Sequence, residues 1–303
     1  MNFAAPQLTA MDNRSALREA IARLEAAQVP SARLAAELLL MHVLGRDRAW
    51  LYAHPEQEIG AEARERFLAL VARRAEGVPT QYLTGHQEFW GLEFEVTPDV
   101  LIPRPETEHV VEVALARLSA RTASLKDGAL RVADIGTGSG CLAVALAKEL
   151  PNARVVATDI SDAALSVARR NAARHGVAKR IEFVECNLLD AFACEGGAAN
   201  RFDLIVSNPP YVALADAAGL PREVREHEPH SALFAGECGL DFHAPLVATA
   251  EKLLAPCGAL VVELGYNAAG HARALLDHAN WRDIAIANDL AGIARVASAV
   301  RDE

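Results

Sequence analysis

Asn208-Pro209-Pro210-Tyr211 constrains the fold of this chain more than any other four residues. It follows Phe202-Asp203-Leu204-Ile205-Val206-Ser207, an apolar run that reads as a buried strand. Two prolines cannot continue a central strand, because each lacks a ladder N–H and has a fixed φ. The chain must therefore leave the sheet at Asn208, in a rigid loop at the strand's carboxyl end, where open α/β sheets place their ligands. The loop offers a side-chain amide, a Pro209 carbonyl that no helix uses, and the aromatic face of Tyr211. An amide oxygen beside a backbone carbonyl makes two acceptors for the two hydrogens of an –NH2 group. Tyr211 can stack on the planar group that carries it. The same tetrapeptide also reads as a turn capping a strand, so its surroundings decide.

Upstream, Leu130 to Ile135 reads as an apolar strand entering the turn Gly136-Thr137-Gly138-Ser139-Gly140, with a helix from about Cys141 to Glu149. Glycines at alternate positions let the backbone approach a ligand at a helix N-terminus. The dinucleotide pattern G-x-G-x-x-G fails here, because its last glycine falls on Cys141 or Ala143. No Gly-Lys-Ser/Thr follows either, so the turn suits a nucleoside-containing ligand without a pyrophosphate. The next strand, Arg154 to Asp159, ends in a carboxylate placed to bond two ribose hydroxyls. Ser161 or Asp162 can cap the following helix, which leaves Asp159 free for the ligand. A third strand, Ile181 to Glu185, leads to Cys186-Asn187-Leu188, where the Asn187 carbonyl oxygen can accept from an adenine amino group.

Strands and helices alternate through this half, as a mostly parallel sheet requires, and Ala259 to Glu263, Ile284 to Ala287 and Ile293 to Val300 supply the last strands. Before Thr84 the apolar residues recur at helical spacing (Leu17, Ile21, Leu24; Leu34, Leu38, Met41; Phe67, Leu70, Val71). The expected organisation is a helical domain over 1–84, a hairpin linker over 85–103 turning at Gly91, and an α/β domain over 104–303.

The five cysteines are scattered, with no C-x-x-C, which argues for reduced thiols and a cytoplasmic protein. The N-terminus lacks a basic start and an apolar core, and no apolar stretch approaches a membrane span. A formal net charge of -10 disfavours a nucleic-acid substrate, whose phosphates want a basic surface. His227 and His230 flank Glu228, but the spacing lacks a helical pattern and a third ligand, so no metal is expected.

Glycine turn, Asp159, Asn187 and the Asn-Pro-Pro-Tyr loop together resemble the class I S-adenosylmethionine-dependent methyltransferases, a Rossmann-like α/β fold. Segments Gly77 to Gly85, Glu88 to Val96, Val100 to Glu108, Glu228 to Leu233 and Gly292 to Val296 narrow this further. With them the chain, from about Ala16 to Ala297, resembles the release-factor glutamine methyltransferases. Arg104-Pro105-Glu106-Thr107-Glu108 discriminates most, since the sister family acting on a ribosomal protein carries a serine-containing variant there. Asn187 departs from the pattern, because many relatives have Asp at that place.

The resemblance implies N5-methylation of the glutamine in the Gly-Gly-Gln loop of peptide chain release factors, in translation termination. S-adenosyl-L-methionine would be held by Gly136, Thr137, Gly138, Ser139, Gly140, Asp159, Asn187, Leu188 and Asn208. Asn208, Pro209 and Tyr211 would be catalytic and, with Pro210, would bind the substrate amide. Arg104, Glu106 and Glu263 are candidates for shaping the pocket. The expected protein is a monomer with a release factor as partner and no direct nucleic acid or membrane. Glutamine methylation of a ribosomal protein, adenine-N6 methylation and a non-catalytic nucleoside sensor are the competing readings.

Overall fold

A computed structural model describes residues 11–122, 130–192, 201–277 and 280–302. They divide into two compact units, residues 1–85 with 221–227, and residues 86–220 with 228–303. Cys194 lies outside the described residues.

The smaller unit is helical: α1 (Asn13–Ala26), α2 (Ala32–Leu44), α3 (Arg48–Ala53), α4 (Ala61–Ala75) and α5 (Thr80–Thr84). Side-chain carboxylates start two of these helices, Asp12 accepting from the Ser15 N–H and Asp47 from the Trp50 N–H, both at 2.7 Å. The apolar stripes expected from the sequence meet in one core, where Ala16, Leu24, Leu39, Leu40, Phe67 and Val71 are buried. Two short strands not anticipated from the sequence, β1 (Met11–Asp12) and β2 (Glu58–Ile59), pair antiparallel beside it. The unit is completed by α9 (Arg222–His227), whose Glu223 forms an ion pair with the buried Arg74 of α4.

The larger unit opens with a hairpin, β3 (His86–Phe89) and β4 (Leu92–Glu95), turning at Trp90-Gly91. It falls within this unit, whereas the sequence suggested a linker. Phe89 and Phe94 are fully buried in the same cluster as Val110, Val132 and Leu146, and burying side chains of this size stabilises by about 1.5–3 kcal/mol each.

Next come α6 (Glu108–Thr122), β5 (Arg131–Ile135), α7 (Cys141–Glu149), β6 (Arg154–Asp159), α8 (Asp162–Arg174), β7 (Ile181–Glu185) and β8 (Phe202–Ser207). After β8 follow α10 (His243–Leu253), β9 (Leu254–Glu263), α11 (Ala269–Leu276), β10 (Trp281–Asn288) and β11 (Ala294–Arg301). They build a seven-stranded sheet of order β10-β11-β9-β8-β5-β6-β7. The five strands from β9 to β7 are parallel, and β11 and β10 add an antiparallel edge. Val132 packs on one face of the sheet with α6 and α7, and Ala133 on the other with α10 and α11, so β5 is apolar on both faces.

Strand order runs outward from β5 to β7 and restarts on its other side at β8. Crevices for ligands open at such a reversal, beyond the carboxyl ends of the two strands. Here those ends carry Gly136 to Gly140 and Asn208 to Tyr211.

Candidate active site

A cavity of about 1090 Å³, counting its open mouth, lies at this point of the larger unit. Eleven of the residues expected from the sequence line it: Arg104, Gly136, Thr137, Gly138, Ser139, Asp159, Asn187, Leu188, Asn208, Pro209 and Pro210. Gly140 and Tyr211 stand outside the lining.

The glycine turn is tied down by atoms that are themselves buried. The N–H groups of Gly136 and Thr137 both donate to the Thr158 carbonyl at 2.9 Å. Asp134, fully buried, accepts from the Thr137 hydroxyl at 2.6 Å and from the Ala143 N–H at 3.0 Å, while its Oδ1 has no partner. Burial pushes its carboxyl up to about 7 against the pull of these two bonds. Gly140 takes φ +81°, and a Cβ there would lie 3.0 Å from that of Ala168, so only glycine lets α7 start against α8. Buried Asn171 of α8 donates to the Ser139 carbonyl at 2.9 Å and exchanges bonds with the backbone of Glu95, locking the turn to the hairpin.

Asp159 is less free than the sequence suggested. Ser161 does cap α8, accepting from the Ala164 N–H. Yet Asp159 Oδ2 accepts from the Gly138 N–H at 2.9 Å and Oδ1 from the Ser161 N–H at 3.0 Å. A carboxylate has about four lone-pair sites, so each oxygen keeps capacity toward the cavity. Burial raises its pKa, with the Gly138 and Ser161 bonds opposing. Asn187 is exposed and Leu188 beside it sits at φ +48°, its carbonyl accepting from the Thr158 hydroxyl at 2.7 Å. Left-handed backbone at a bulky residue is uncommon and costs of order 1–3 kcal/mol; here it turns the strand end across the cavity.

Asn208 has the most telling environment. Its Nδ2 donates to Thr107 Oγ1 at 3.0 Å, whereas its Oδ1 is buried and without a partner. A buried orphan acceptor costs about 1–3 kcal/mol, a cost a ligand –NH2 would remove. Tyr211 turns away: its ring packs on Gly265, where a Cβ would come within 3.0 Å, and its hydroxyl donates to Glu263 at 3.2 Å. It braces the loop from behind instead of stacking in the cavity.

Much of the remaining lining escaped the sequence reading: Asp99, Val100, Pro103 and Thr107, then Pro229, Ser231 and Ala232, then Phe242 and Leu246. Glu228, buried, accepts from Arg104 at 2.6 Å and from the Ile102 N–H at 3.3 Å, which ties Arg104 and Ile102 to the residue just before Pro229. Glu106 is exposed and outside the lining. Among the described residues no group of three His, Cys, Asp or Glu could hold a metal, and no helix is long and apolar enough to cross a membrane.

Comparison with known proteins gives the family. Residues 15–85 match the model of the PrmC N-terminal domain and residues 126–286 that of a methyltransferase domain. A release factor glutamine methyltransferase of Koribacter versatilis is 45% identical, over 94% of this chain and 97% of that protein. One from Geobacter sulfurreducens is 46% identical, over 88% and 89% respectively. The hMettl16 catalytic domain, solved in complex with MAT2A 3′UTR hairpin 1, shares the fold with a TM-score of 0.54 at 15% identity, over 84% of this chain and 87% of that one. By its site and by its relatives, the chain belongs to the release factor glutamine methyltransferases, enzymes dependent on S-adenosylmethionine.

Proposed function

We propose that this enzyme methylates the side-chain nitrogen of the glutamine in the Gly-Gly-Gln loop of peptide chain release factors. The observation that carries the reading is Asn208, with Nδ2 engaged on Thr107 and Oδ1 buried, unpartnered and beside Pro209 at the cavity wall.

S-adenosylmethionine, when bound, supplies an electrophilic methyl on a sulfonium. The orphan Oδ1 of Asn208 and the glycine turn fit such a guest, and neither phosphate-binding lysine nor metal is required. Gly136 to Ser139 would cradle the donor, Asp159 would take its ribose, and Asn187 and Leu188 would border its base. An amide nitrogen is a poor nucleophile because its lone pair is delocalised into the carbonyl. Asn208 Oδ1 and the Pro209 carbonyl accept its two hydrogens, aim the lone pair at the methyl carbon and favour the positive charge that grows on nitrogen. The donor would supply the methyl and keep the carbon–sulfur electron pair, and the nitrogen would then give up its surplus proton. No strong base is needed.

The test is transfer of labelled methyl to purified release factor, ribosomal protein and DNA under one set of conditions. Fastest labelling of release factor at its Gly-Gly-Gln glutamine is expected. Faster labelling of the ribosomal protein, or of DNA alone, would overturn the reading.

A further inference from the structure

We infer that Gly239 and Gly265 are positioning residues for methyl transfer: between them they hold Tyr211, and through it they set where Asn208 and Pro209 meet the cavity. The inference rests on the glutamine-methylating reading above and adds to that site two residues outside the cavity lining.

Pro209 and Pro210 carry no N–H, so the loop cannot be fastened at either residue by a donated backbone bond. Backbone bonds resume just beyond it, where the Val212 N–H donates to the Leu233 carbonyl and the Val212 carbonyl accepts from the Ala235 N–H, both at 2.9 Å. Leu214 donates to the Gly236 carbonyl at 2.9 Å, so Val212 to Leu214 runs beside Leu233 to Gly236 as a short parallel bridge. Tyr211, between the prolines and this bridge, is held at three points. Its hydroxyl donates to Glu263 at 3.2 Å. Its ring lies on Gly265, where a Cβ would stand 3.0 Å from Cδ2 and 3.1 Å from Cβ and Cγ. Its backbone lies on Gly239, where a Cβ would overlap the Tyr211 carbonyl oxygen and stand 3.0 Å from the Ala213 nitrogen. Gly239 also takes φ +73°, which side-chain-bearing residues rarely adopt.

Two glycines from separate loops thus close on one residue, Gly265 just past the end of β9 and Gly239 shortly before α10. At each, backbone meets Tyr211 with no room for another carbon, and packed protein transmits strain where it cannot compress. Between Tyr211 and Asn208 stand only Pro209 and Pro210, whose φ angles are fixed. So stiff a link passes a displacement of Tyr211 back to Asn208 instead of absorbing it. The Asn208 side chain has little freedom to compensate, with Nδ2 bonded to Thr107 at 3.0 Å and Oδ1 buried. Methyl transfer needs the nitrogen lone pair in line with the methyl carbon, and a misplacement of about 1 Å costs on the order of 10²-fold. A Cβ at Gly265 obliges Tyr211 to give by a few tenths of an ångström, and one at Gly239 obliges the backbone to move further.

The experiment uses the full-length enzyme with intact release factor, in single turnovers with pre-bound cofactor. Gly265→Ala should slow methyl transfer by roughly 3- to 10-fold and Gly239→Ala by roughly 10- to 100-fold, in the order of the displacement each demands. Cofactor affinity measured by calorimetry should stay within about twofold for both, because neither glycine lines the cavity. A double-mutant cycle gives the readout that packing alone would not move. Once Asn208→Ala has removed the acceptor being positioned, Gly239→Ala should cost no more than about threefold further. Wild-type turnover in a folded Gly239→Ala enzyme, or the same loss with and without Asn208, overturns the inference. A loss of cofactor affinity as large as the loss of rate overturns it too. Should Gly239→Ala fail to fold, Gly265→Ala, which has no left-handed φ to satisfy, takes its place in the cycle. Wild-type turnover there, or full additivity with Asn208→Ala, overturns the inference equally. A wild-type enzyme that labels no release factor overturns the functional reading instead, and the inference falls with it.

Discussion

Replacing Asp159 should separate the cofactor's ribose from the scaffold proposed to hold it. In the structure the carboxylate already accepts from Gly138 and Ser161 at 2.9 and 3.0 Å, which leaves about two lone-pair sites for ribose hydroxyls. Hydrogen bonds to a charged acceptor contribute about 1.5–3 kcal/mol, a factor of roughly 10–150 in affinity. Asp159→Ala should sit toward the upper end, because it also releases the Gly138 N–H from which the turn hangs. Asp159→Asn keeps one accepting oxygen and should lose about tenfold. Folding should not suffer from neutralisation. Because the folded-state pKa is raised, mainly by burial, the stability this group contributes is present below its unfolded value of 3.8. That contribution is lost as pH rises through the folded value. Above that value the charge is a burden, and its relief in Asp159→Asn is set against loss of one of the two backbone bonds the carboxylate accepts, so the melting temperature should change little. Cofactor affinity of the wild type should in turn weaken as pH falls through that raised value. Isothermal calorimetry on variants checked by thermal melting reads both. Unchanged affinity in a folded Asp159→Ala protein would remove the residue from the site.

Asn208→Ala should slow single-turnover methylation by about 10²–10³ with little change in cofactor affinity, and near-normal turnover would sink its assigned role. Gly140→Ala must hold φ +81° and press a methyl to 3.0 Å from Ala168; a loss of about 1–3 kcal/mol should appear in denaturant melts. Arg74 is 4% exposed, pairs with Glu223 and donates to the Val78 carbonyl at 3.1 Å. Arg74→Ala should therefore cost about 3 kcal/mol and expose Pro221 to His227 to protease, and an unchanged cleavage pattern would refute that.

The sequence carried those parts of the site whose cause is local. Pro209 and Pro210 end β8 because neither can donate to a ladder, so the loop's place followed from four residues. Asp159 ended a strand, and the Gly136 to Gly140 turn was bounded by periodic apolar runs. What escaped depends on partners distant in the chain. Nothing near Asp159 announces that Gly138 will claim one of its oxygens, and nothing near Tyr211 announces Gly265, which leaves a hollow for its ring. Thr107 reads as one letter of a family motif until Asn208, 101 residues on, donates to its hydroxyl. The hairpin looked like a linker because its alternation is short; only the burial of Phe89 and Phe94 assigns it to the larger unit.

The assignment of residues 221–227 to the N-terminal unit bears on the order of synthesis. On the ribosome that unit's first 85 residues emerge early, but its last helix follows only after most of the sheet has been translated. At ~5–20 residues per second the interval is on the order of ten seconds. Throughout it the guanidinium of Arg74 lacks its carboxylate and must remain hydrated, since an uncompensated buried charge is strongly destabilising. The nascent helical unit should thus stay incomplete and protease-sensitive until the catalytic half has been made, so that the first part of the chain to appear is not the first to finish folding.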